Sequence, residues 1–241
     1  MVTRSIPKGG RVAGYDVEVT GVEARCLDVL SVRFERPDGY RFAAGQYLAL
    51  TIQTAEGAQT KPFSHSSATD DAYLEITTRL SGSAFKAALS ELRPGDRVRI
   101  AGPAGRLTLP VDEPRVAFLL GGVGITPVIS MLRSQDPGTA PREVLFYGNR
   151  DLECIPFVEE IAALEREGLT VVHVLESTAD TWKGERGFIT PDVVRRHLDL
   201  AENWLFIVAG PPVMVTAMEA CLNALGVSPS RALIERFGPP A

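Results

Sequence analysis

The first half of the chain alternates apolar and polar residues over short stretches rich in β-branched residues. Six stretches have the length and composition of strands: Tyr15 to Val22, Val29 to Glu35, Tyr47 to Thr54, Lys61 to His65, Tyr73 to Thr78 and Arg97 to Ala101. Between the last two, Phe85, Leu89 and Leu92 recur at helical spacing. The pattern predicts a six-stranded antiparallel β-barrel that is interrupted by one helix over Ser83 to Leu92.

The second half contains apolar strands that alternate with amphipathic helices. The strand-like stretches are Val116 to Leu120, Glu143 to Tyr147, Thr170 to Leu175, Trp204 to Val208 and Ala232 to Glu235. Helices are expected to begin near Ile125, Ile155, Pro191 and Pro211. This alternation is typical of a Rossmann-like α/β domain built on a parallel sheet. The segment Pro110 to Pro114 separates the halves, so we place a domain boundary between residues 111 and 112.

Composition and charge exclude several classes of protein. The chain has 241 residues, 45% hydrophobic and 23% charged, with a net charge of −5, which is typical of globular domains. Without a block of Lys and Arg, no nucleic-acid partner is expected, and glycines interrupt the most apolar run, so no membrane span is expected. The first residues lack a secretory signal, which favours a cytoplasmic location. Three cysteines at wide spacings fit no zinc or iron–sulfur ligand set, and no metal is expected.

Two glycine turns follow predicted strands in the second half. One is Gly121-Gly122-Val123-Gly124-Ile125-Thr126-Pro127, and the other is Gly210-Pro211-Pro212. Glycine lets a backbone approach an anion closely, and the amides at a helix start favour negative charge. The spacing differs from the Gly-x-Gly-x-x-Gly fingerprint, and each turn alone also fits a simple strand-to-helix connection. Together, at the carboxyl ends of strands, they indicate a phosphate-containing ligand.

The order of motifs along the chain resembles the ferredoxin–NADP reductase family. The motifs are Gly45-Gln46-Tyr47, Lys61-Pro62-Phe63-Ser64, Pro94-Gly95-Asp96, the two glycine turns and Glu235-Arg236-Phe237, and the resemblance runs from about Tyr15 to Gly238. It implies a flavin-binding β-barrel domain over residues 1–111 and an NAD(P)-binding α/β domain over residues 112–241. It also implies a flavin lying between the two domains, to which the nicotinamide passes a hydride.

The resemblance implies roles for individual residues. Lys61 would offset a phosphate charge, Phe63 would pack on the isoalloxazine or ribitol, and Ser64 would hydrogen-bond the flavin N5. Further cofactor-binding residues are expected at Pro62, Gly82, Ser83, Ala84, Phe85, Gly122, Gly124, Thr126, Pro127, Asn149, Arg150, Glu176, Gly210, Pro211 and Phe237. Ser64 and Glu235 are the catalytic candidates, the latter as part of a proton relay.

Some positions depart from the family pattern. Lys61 and Phe63 stand where relatives usually have Arg and Tyr, and this removes a bidentate fork and a phenolic hydroxyl. Lys86 stands where many relatives have Ser, and Ala209 where Cys is common. The loop around Ser83 favours FAD as the flavin, with FMN as the alternative.

The choice between NADH and NADPH depends on the end of the strand that contains Val174. Glu176 would repel a 2′-phosphate and accept a hydrogen bond from a ribose hydroxyl, which favours NADH. Arg186 would instead provide a partner for the 2′-phosphate of NADPH.

The predicted function is that of a FAD-dependent NAD(P)H oxidoreductase passing electrons to a separate acceptor. The acceptor would be a ferredoxin, a flavodoxin, an oxygenase component or a small molecule. The chain is expected to be a stand-alone reductase module without an iron–sulfur domain, because its cysteines are not clustered. Two alternatives remain, a reductase of free flavin and a non-catalytic flavin-binding electron-transfer or regulatory subunit of a larger complex. No feature of the sequence specifies an oligomeric state.

Overall fold

A computed structural model describes residues 2–3, 13–136, 138, 140–166 and 168–238. Its contacts divide the chain into two compact units. The first, which we call the barrel unit, comprises the described residues within 13–108 together with residues 126–134. The second, which we call the α/β unit, comprises those within 2–3, 109–125 and 135–238.

The elements follow the predicted order along the chain. The strands are β1 (Val2–Thr3), β2 (Gly14–Cys26), β3 (Val29–Glu35), β4 (Tyr47–Thr54), β5 (Gly57–Ser64), β6 (Tyr73–Arg79), β7 (Arg97–Ala104), β8 (Arg115–Gly121), β9 (Arg142–Asn149), β10 (Thr170–Leu175), β11 (Glu185–Arg186), β12 (Leu205–Gly210) and β13 (Ala232–Arg236). The α-helices are α1 (Ala84–Ser90), α2 (Thr126–Arg133), α3 (Val158–Arg166), α4 (Pro191–His197) and α5 (Pro212–Ala224).

The barrel unit is built on six antiparallel strands in the order β5-β4-β7-β2-β3-β6. The two edge strands meet where His65, directly after β5, bridges Ile76 of β6. Alternate residues point inward, so Val17, Val19 and Leu50 enter one buried apolar core. The predicted six-stranded antiparallel barrel is therefore confirmed.

We call the place where β5 and β6 meet the barrel seam. Glu75 of β6, a buried carboxylate, links this seam to the neighbouring strands. Its Oε2 accepts hydrogen bonds from Arg33 Nε at 2.8 Å and from Arg25 at 3.2 Å, while its Oε1 accepts one from Ser66 Oγ at 2.9 Å. The backbone amide of Ser66 also donates to the Glu75 carbonyl at 2.8 Å. Because both arginines come from β2 and β3, one ion pair network fastens three strands and the segment after β5.

The helix α2 belongs to the barrel unit by its contacts. The Arg133 guanidinium donates to the Ser66 carbonyl at 3.2 Å and pairs with Asp71 at 3.0 Å. The amide of Thr69 donates to Ser134 Oγ at 2.9 Å. These bonds add a second set of anchors to the segment that follows β5.

The α/β unit is built on a parallel sheet in the order β1-β13-β12-β8-β9-β10-β11. The strand order reverses between β8 and β12, which pair in register from Leu205 with Val116 to Ala209 with Leu120. Such a reversal is the usual ligand-binding point of an open parallel sheet. The predicted Rossmann-like α/β half is confirmed, and no helix of the described residues is long and apolar enough to cross a membrane.

Three local differences from the predicted elements have physical causes. The strands β1 and β11 contain two residues each and arise from pairing with β13 and β10, which no sequence period reveals. The helix predicted near Ile155 begins at Val158, because Pro156 and the positive φ of Phe157 (61°) precede it.

The Glu75 network predicts a large difference between two carboxylates that contact the same arginines. Glu75→Gln should lower the free energy of unfolding by about 3–5 kcal/mol, because it breaks a buried ion pair between the Glu75 carboxylate and the Arg25 guanidinium. Glu23→Gln is the matched control, since the half-exposed Glu23 side chain pairs with Arg25 and Arg33 in contact with water, and it should cost less than about 1 kcal/mol. Urea unfolding of both variants measures this, and equal losses would contradict it.

Candidate functional site

The end of β5 carries the four residues predicted to contact the flavin. Lys61 is exposed, Pro62 is half-buried, and Phe63 and Ser64 are buried. In the pairing with β4, Phe63 is opposite Leu48 and Ser64 is opposite Tyr47. The strand therefore presents a charged side chain to water and then a buried ring and hydroxyl.

The segment predicted as a diphosphate loop, Gly82 to Phe85, forms the start of α1. Ser83 caps the helix, since its Oγ accepts from the Lys86 amide at 3.3 Å, and Gly82 lies exposed before it. The buried Phe85 ring stacks on the Phe63 ring with centroids 5.7 Å apart. Ala84 is half-buried. The structure thus brings this loop and the β5 aromatic together through their rings.

Lys86, one turn into α1, lies against the same aromatic ring. Its Nζ is 4.6 Å from the centroid of Phe63 and donates to Thr78 Oγ1. Burial lowers the pKa of Lys86 to about 8. Within the part of the chain that the structure describes, Lys86 forms no ion pair with a carboxylate.

His65 follows Ser64 directly and is fully buried at the barrel seam. Its Nδ1 lies 2.9 Å from the Gln46 carbonyl oxygen and must donate, so its Nε2 accepts from the Tyr40 hydroxyl at 3.1 Å. The imidazole also stacks on Phe42 at 3.9 Å. Burial lowers the pKa of His65 to about 4, so the ring is neutral at physiological pH and fixes the backbone next to Ser64.

The chemistry of these donors fits a flavin nucleotide in the barrel unit. A half-buried ammonium at Lys86 and hydroxyls at Ser64 and Ser83 can bind phosphate and ring heteroatoms, while Phe63 and Phe85 provide apolar surface. A buried cation without a carboxylate is costly unless an anion compensates it. The residues present therefore suit the cofactor.

In the α/β unit the two glycine turns meet at the point where the strand order reverses. A Cβ atom on Gly124 would lie 2.2 Å from the Ala209 carbonyl oxygen and 3.2 Å from Gly210 Cα, so only glycine fits there. Gly122 has a left-handed φ of 50°, and its carbonyl accepts from the Tyr147 hydroxyl at 2.9 Å. The turns after β8 and β12 thus form one cradle of backbone, which suits a dinucleotide diphosphate.

Asn149 ends β9 with a buried side-chain amide. Neither its Nδ2 nor its Oδ1 is hydrogen-bonded by any residue that the structure describes. Its backbone carbonyl accepts from the Glu176 amide at 3.1 Å, and the Arg150 carbonyl accepts from Ser177. A buried amide with two unsatisfied polar atoms at the carboxyl edge of a parallel sheet fits a ligand contact. The Arg150 side chain is exposed and pairs with Asp151.

The two candidates for coenzyme choice have different surroundings. Glu176 is exposed directly after β10. The Arg186 guanidinium instead donates to the carbonyls of Ala179 and Trp182, both at 3.0 Å, and to the Thr178 hydroxyl. Arg186 therefore holds the 178–182 loop.

The remaining predicted residues lie at helix starts and at the end of β13. Thr126 and Pro127 are buried in the first turn of α2, in the barrel unit, and Pro211 starts α5 without a side-chain cap. Glu235 is buried opposite Ala209 in the β12–β13 register, and the Phe237 amide donates to the Gly210 carbonyl at 2.8 Å. The Glu235–Phe237 segment is thus fastened to the second glycine turn.

Two polar residues with positioning roles lie outside the site residues that were assigned from the sequence. The Tyr147 hydroxyl is within hydrogen-bond distance of the Gly122 and Pro156 carbonyls, so it holds the first glycine turn. A phenol in an otherwise apolar strand was the available signal. His65 gave a similar signal, a polar ring in a stretch that continues a strand, but its partners Tyr40 and Gln46 are far away in sequence.

Two family models match successive parts of the chain. Residues 16–109 match the oxidoreductase FAD-binding domain, and residues 118–220 match the oxidoreductase NAD-binding domain. The first match covers the described strands of the barrel, and the second covers the parallel sheet from β8 to β12. The chain therefore contains an oxidoreductase FAD-binding domain followed by an oxidoreductase NAD-binding domain.

Two bacterial reductases match most of this chain. Ferredoxin–NADP reductase B of Sorangium cellulosum is 30% identical over 92% of this chain and 97% of its own. The ferredoxin reductase component of 3-ketosteroid-9-alpha-monooxygenase of Rhodococcus rhodochrous is 31% identical over 98% of this chain and 68% of its own. The chain spans 53% and 63% of the length of two other curated relatives.

A solved structure shows the same fold. A ferredoxin NADP⁺ reductase from Neisseria gonorrhoeae, crystallised with bound FAD and NADP, matches with a TM-score of 0.83 and 22% identity. The match covers 93% of this chain and 99% of that one. With the barrel, the glycine cradle and a relative matched over nearly its full length, the chain belongs to the ferredoxin–NADP reductase family.

Proposed function

We propose that this chain oxidises NADH or NADPH and passes the electrons through FAD to a separate acceptor. In this proposal residues 1–111 form the flavin-binding domain and residues 112–241 the nicotinamide-binding domain. The gap between the two family matches, residues 110–117, supports a boundary at this place. FAD, when bound, accepts a hydride from the nicotinamide and passes the electrons on to the acceptor.

The contact between the two glycine turns is the observation that carries the proposal. A Cβ atom at Gly124 would lie 2.2 Å from the Ala209 carbonyl oxygen, so the two turns meet backbone to backbone. A diphosphate needs access to backbone amides, and the adjoining Asn149 amide provides two further polar atoms. We assign the nicotinamide dinucleotide to this edge, with Gly122, Gly210 and Pro211 at its diphosphate.

In the barrel unit we assign the flavin to the end of β5 and the start of α1. Phe63 provides apolar ring surface, and the Ser64 hydroxyl provides a hydrogen bond to the flavin N5. In the α/β unit the buried Glu235 carboxyl holds or moves a proton, and Phe237 provides ring surface near it. His65 and Tyr147 are positioning residues, because they act through the backbone of their neighbours.

The acceptor is proposed to be a protein, such as a ferredoxin or an oxygenase component. The printed names of two relatives, a ferredoxin reductase component and a propane 2-monooxygenase reductase component of Rhodococcus jostii, support this class. A flavodoxin or a small molecule would be served by the same chemistry. The cytoplasmic location expected from the sequence stays a prediction.

The direct test is an anaerobic titration of the purified, FAD-loaded chain with NADH and with NADPH. We expect the visible absorbance of oxidised flavin to bleach with at least one of them, because hydride transfer removes the oxidised ring. Flavin that stays oxidised with both donors would contradict the proposal and support a non-catalytic electron-transfer subunit. Flavin that dissociates freely and is reduced in solution would support a reductase of free flavin.

Ser64→Ala tests the assignment of the hydroxyl to N5. We expect the rate of flavin reduction in stopped flow to fall about a hundredfold, since one hydrogen bond to the reacting atom is lost. The content of bound FAD should change little. Ser67→Ala is the matched control, because Ser67 is equally buried and its Oγ accepts only from the Glu75 amide in the bonds described. Equal rates of flavin reduction in the two variants would contradict the contact between the Ser64 hydroxyl and N5.

We propose that NADH is the preferred donor. Glu176 places negative charge where the strand β10 ends, and it would repel a 2′-phosphate. Arg186, the cation that would attract the phosphate, is held by the carbonyls of Ala179 and Trp182. Recruiting it would break bonds that hold the loop.

Glu176→Arg should shift the ratio of kcat/KM for NADPH over NADH upward by about tenfold, equivalent to about 1.4 kcal/mol. The physical reason is that a repulsive charge becomes an attractive one for the 2′-phosphate. Glu91→Arg is the control for net charge, since Glu91 is exposed in the barrel unit after α1. An unchanged ratio in Glu176→Arg, or the same shift in both variants, would contradict the assignment.

A further inference from the structure

Lys86 is an unusual cation because its side chain is half-buried and has no acidic partner among the described residues. Its ammonium donates to the Thr78 hydroxyl and lies 4.6 Å from the centroid of the Phe63 ring. No carboxylate in the described residues forms an ion pair with it. The hydroxyl and the ring face stabilise the charge only in part, so the protein holds a cation that an anion would stabilise.

The charged groups of the neighbouring elements do not provide an anion for the Lys86 ammonium. The titratable residues on β4, β5, β6 and directly after α1 are Tyr47, Lys61, Tyr73, Glu75, Arg79 and Glu91. Glu75 is bound by Arg25 and Arg33, and Arg79 pairs with Asp28. Lys61 has the same sign as Lys86. Burial alone accounts for the lowered pKa of Lys86.

The position of this cation links it to the flavin. Phe63 shares its strand with Ser64, which we assign to the flavin, and with Lys61, for which the sequence predicts a phosphate contact. Lys61 is exposed, so water and salt screen its charge. Lys86 is half-buried, and its ammonium lies against the Phe63 ring and Thr78 of β6, so an ion pair formed there is screened less than one at Lys61.

We propose that Lys86, rather than Lys61, is the main phosphate-binding cation of the flavin site, pairing its ammonium with the phosphate oxygens of FAD. The inference rests on the proposed function and adds to it the residue that binds the phosphate most strongly. FMN carries the same phosphate chemistry, and riboflavin lacks it. The three flavins therefore separate recognition of phosphate from recognition of the ring.

The proposal fixes the sign of a pH dependence. In the flavin-free chain Lys86 loses its proton near pH 8, whereas a bound phosphate stabilises the ammonium and raises its pKa. Above about pH 8, binding of FAD must therefore take up a proton, and the affinity falls by up to about tenfold per pH unit. Riboflavin has no phosphate to stabilise the ammonium, so its affinity should lack this dependence.

The experiment measures the dissociation constants of FAD, FMN and riboflavin for the flavin-free full chain by flavin fluorescence, at about pH 7 and about pH 9. For Lys86→Met we expect about ten- to hundredfold weaker binding of FAD and FMN at the lower pH, with riboflavin unchanged. The fall in FAD affinity with pH should disappear. Lys86→Arg should keep tight FAD binding at both pH values. Lys183→Met, which removes an exposed lysine of the α/β unit, is the control.

Three outcomes would overturn the proposal. Unchanged FAD binding in Lys86→Met excludes the phosphate contact, and an equal loss for riboflavin and FAD means that Lys86 supports the ring pocket instead. Should Lys86→Met fail to fold by circular dichroism, the wild-type chain still decides, because FAD affinity that does not fall between the two pH values contradicts the ion pair. A wild-type chain that binds none of the three flavins refutes the proposed function itself.

Discussion

The barrel depends on the ion pairs that the Glu75 carboxylate forms with Arg25 and Arg33. This carboxylate is fully buried, and it is stable there only because Arg25 and Arg33 bring two guanidinium groups to one of its oxygens. The other oxygen binds Ser66, in the segment that closes the barrel between β5 and β6. A seam made of one bridge would be weak, and the ion pair network compensates for this. The position of Ser64, two residues before Ser66, follows from the same network.

The α/β unit depends on a steric constraint rather than on charge. The backbone of Gly124 rests on the Ala209 carbonyl, so neither turn can change its course without moving the other. Ala209 is also fully buried and faces Glu235 across the β12–β13 pair. Ala209 is therefore next to the carboxylate that we assign to proton transfer.

The fold was more predictable from the sequence than the site was. The strands β3, β4 and β10 match the predicted stretches residue for residue, because alternation or apolar runs end there at turn residues. The site depends on side-chain direction and on partners distant in sequence, which no period encodes. Phe63 illustrates this. The sequence predicted that its ring packs on the flavin, whereas only the structure shows that the same ring stacks on Phe85. Asn149 was identified from its place after β9, whereas the burial of its amide appeared only in the structure.

The two lysines of the flavin region show how burial changes what a charge can do. An exposed ammonium such as Lys61 costs little to fold, but water weakens any pair that it forms. A buried ammonium such as Lys86 destabilises the flavin-free chain below the pKa of an unfolded lysine, because the folded state binds its proton less tightly. The proposed pairing of Lys86 with the FAD phosphate would recover that cost, so burial would couple the stability of the barrel to its cofactor.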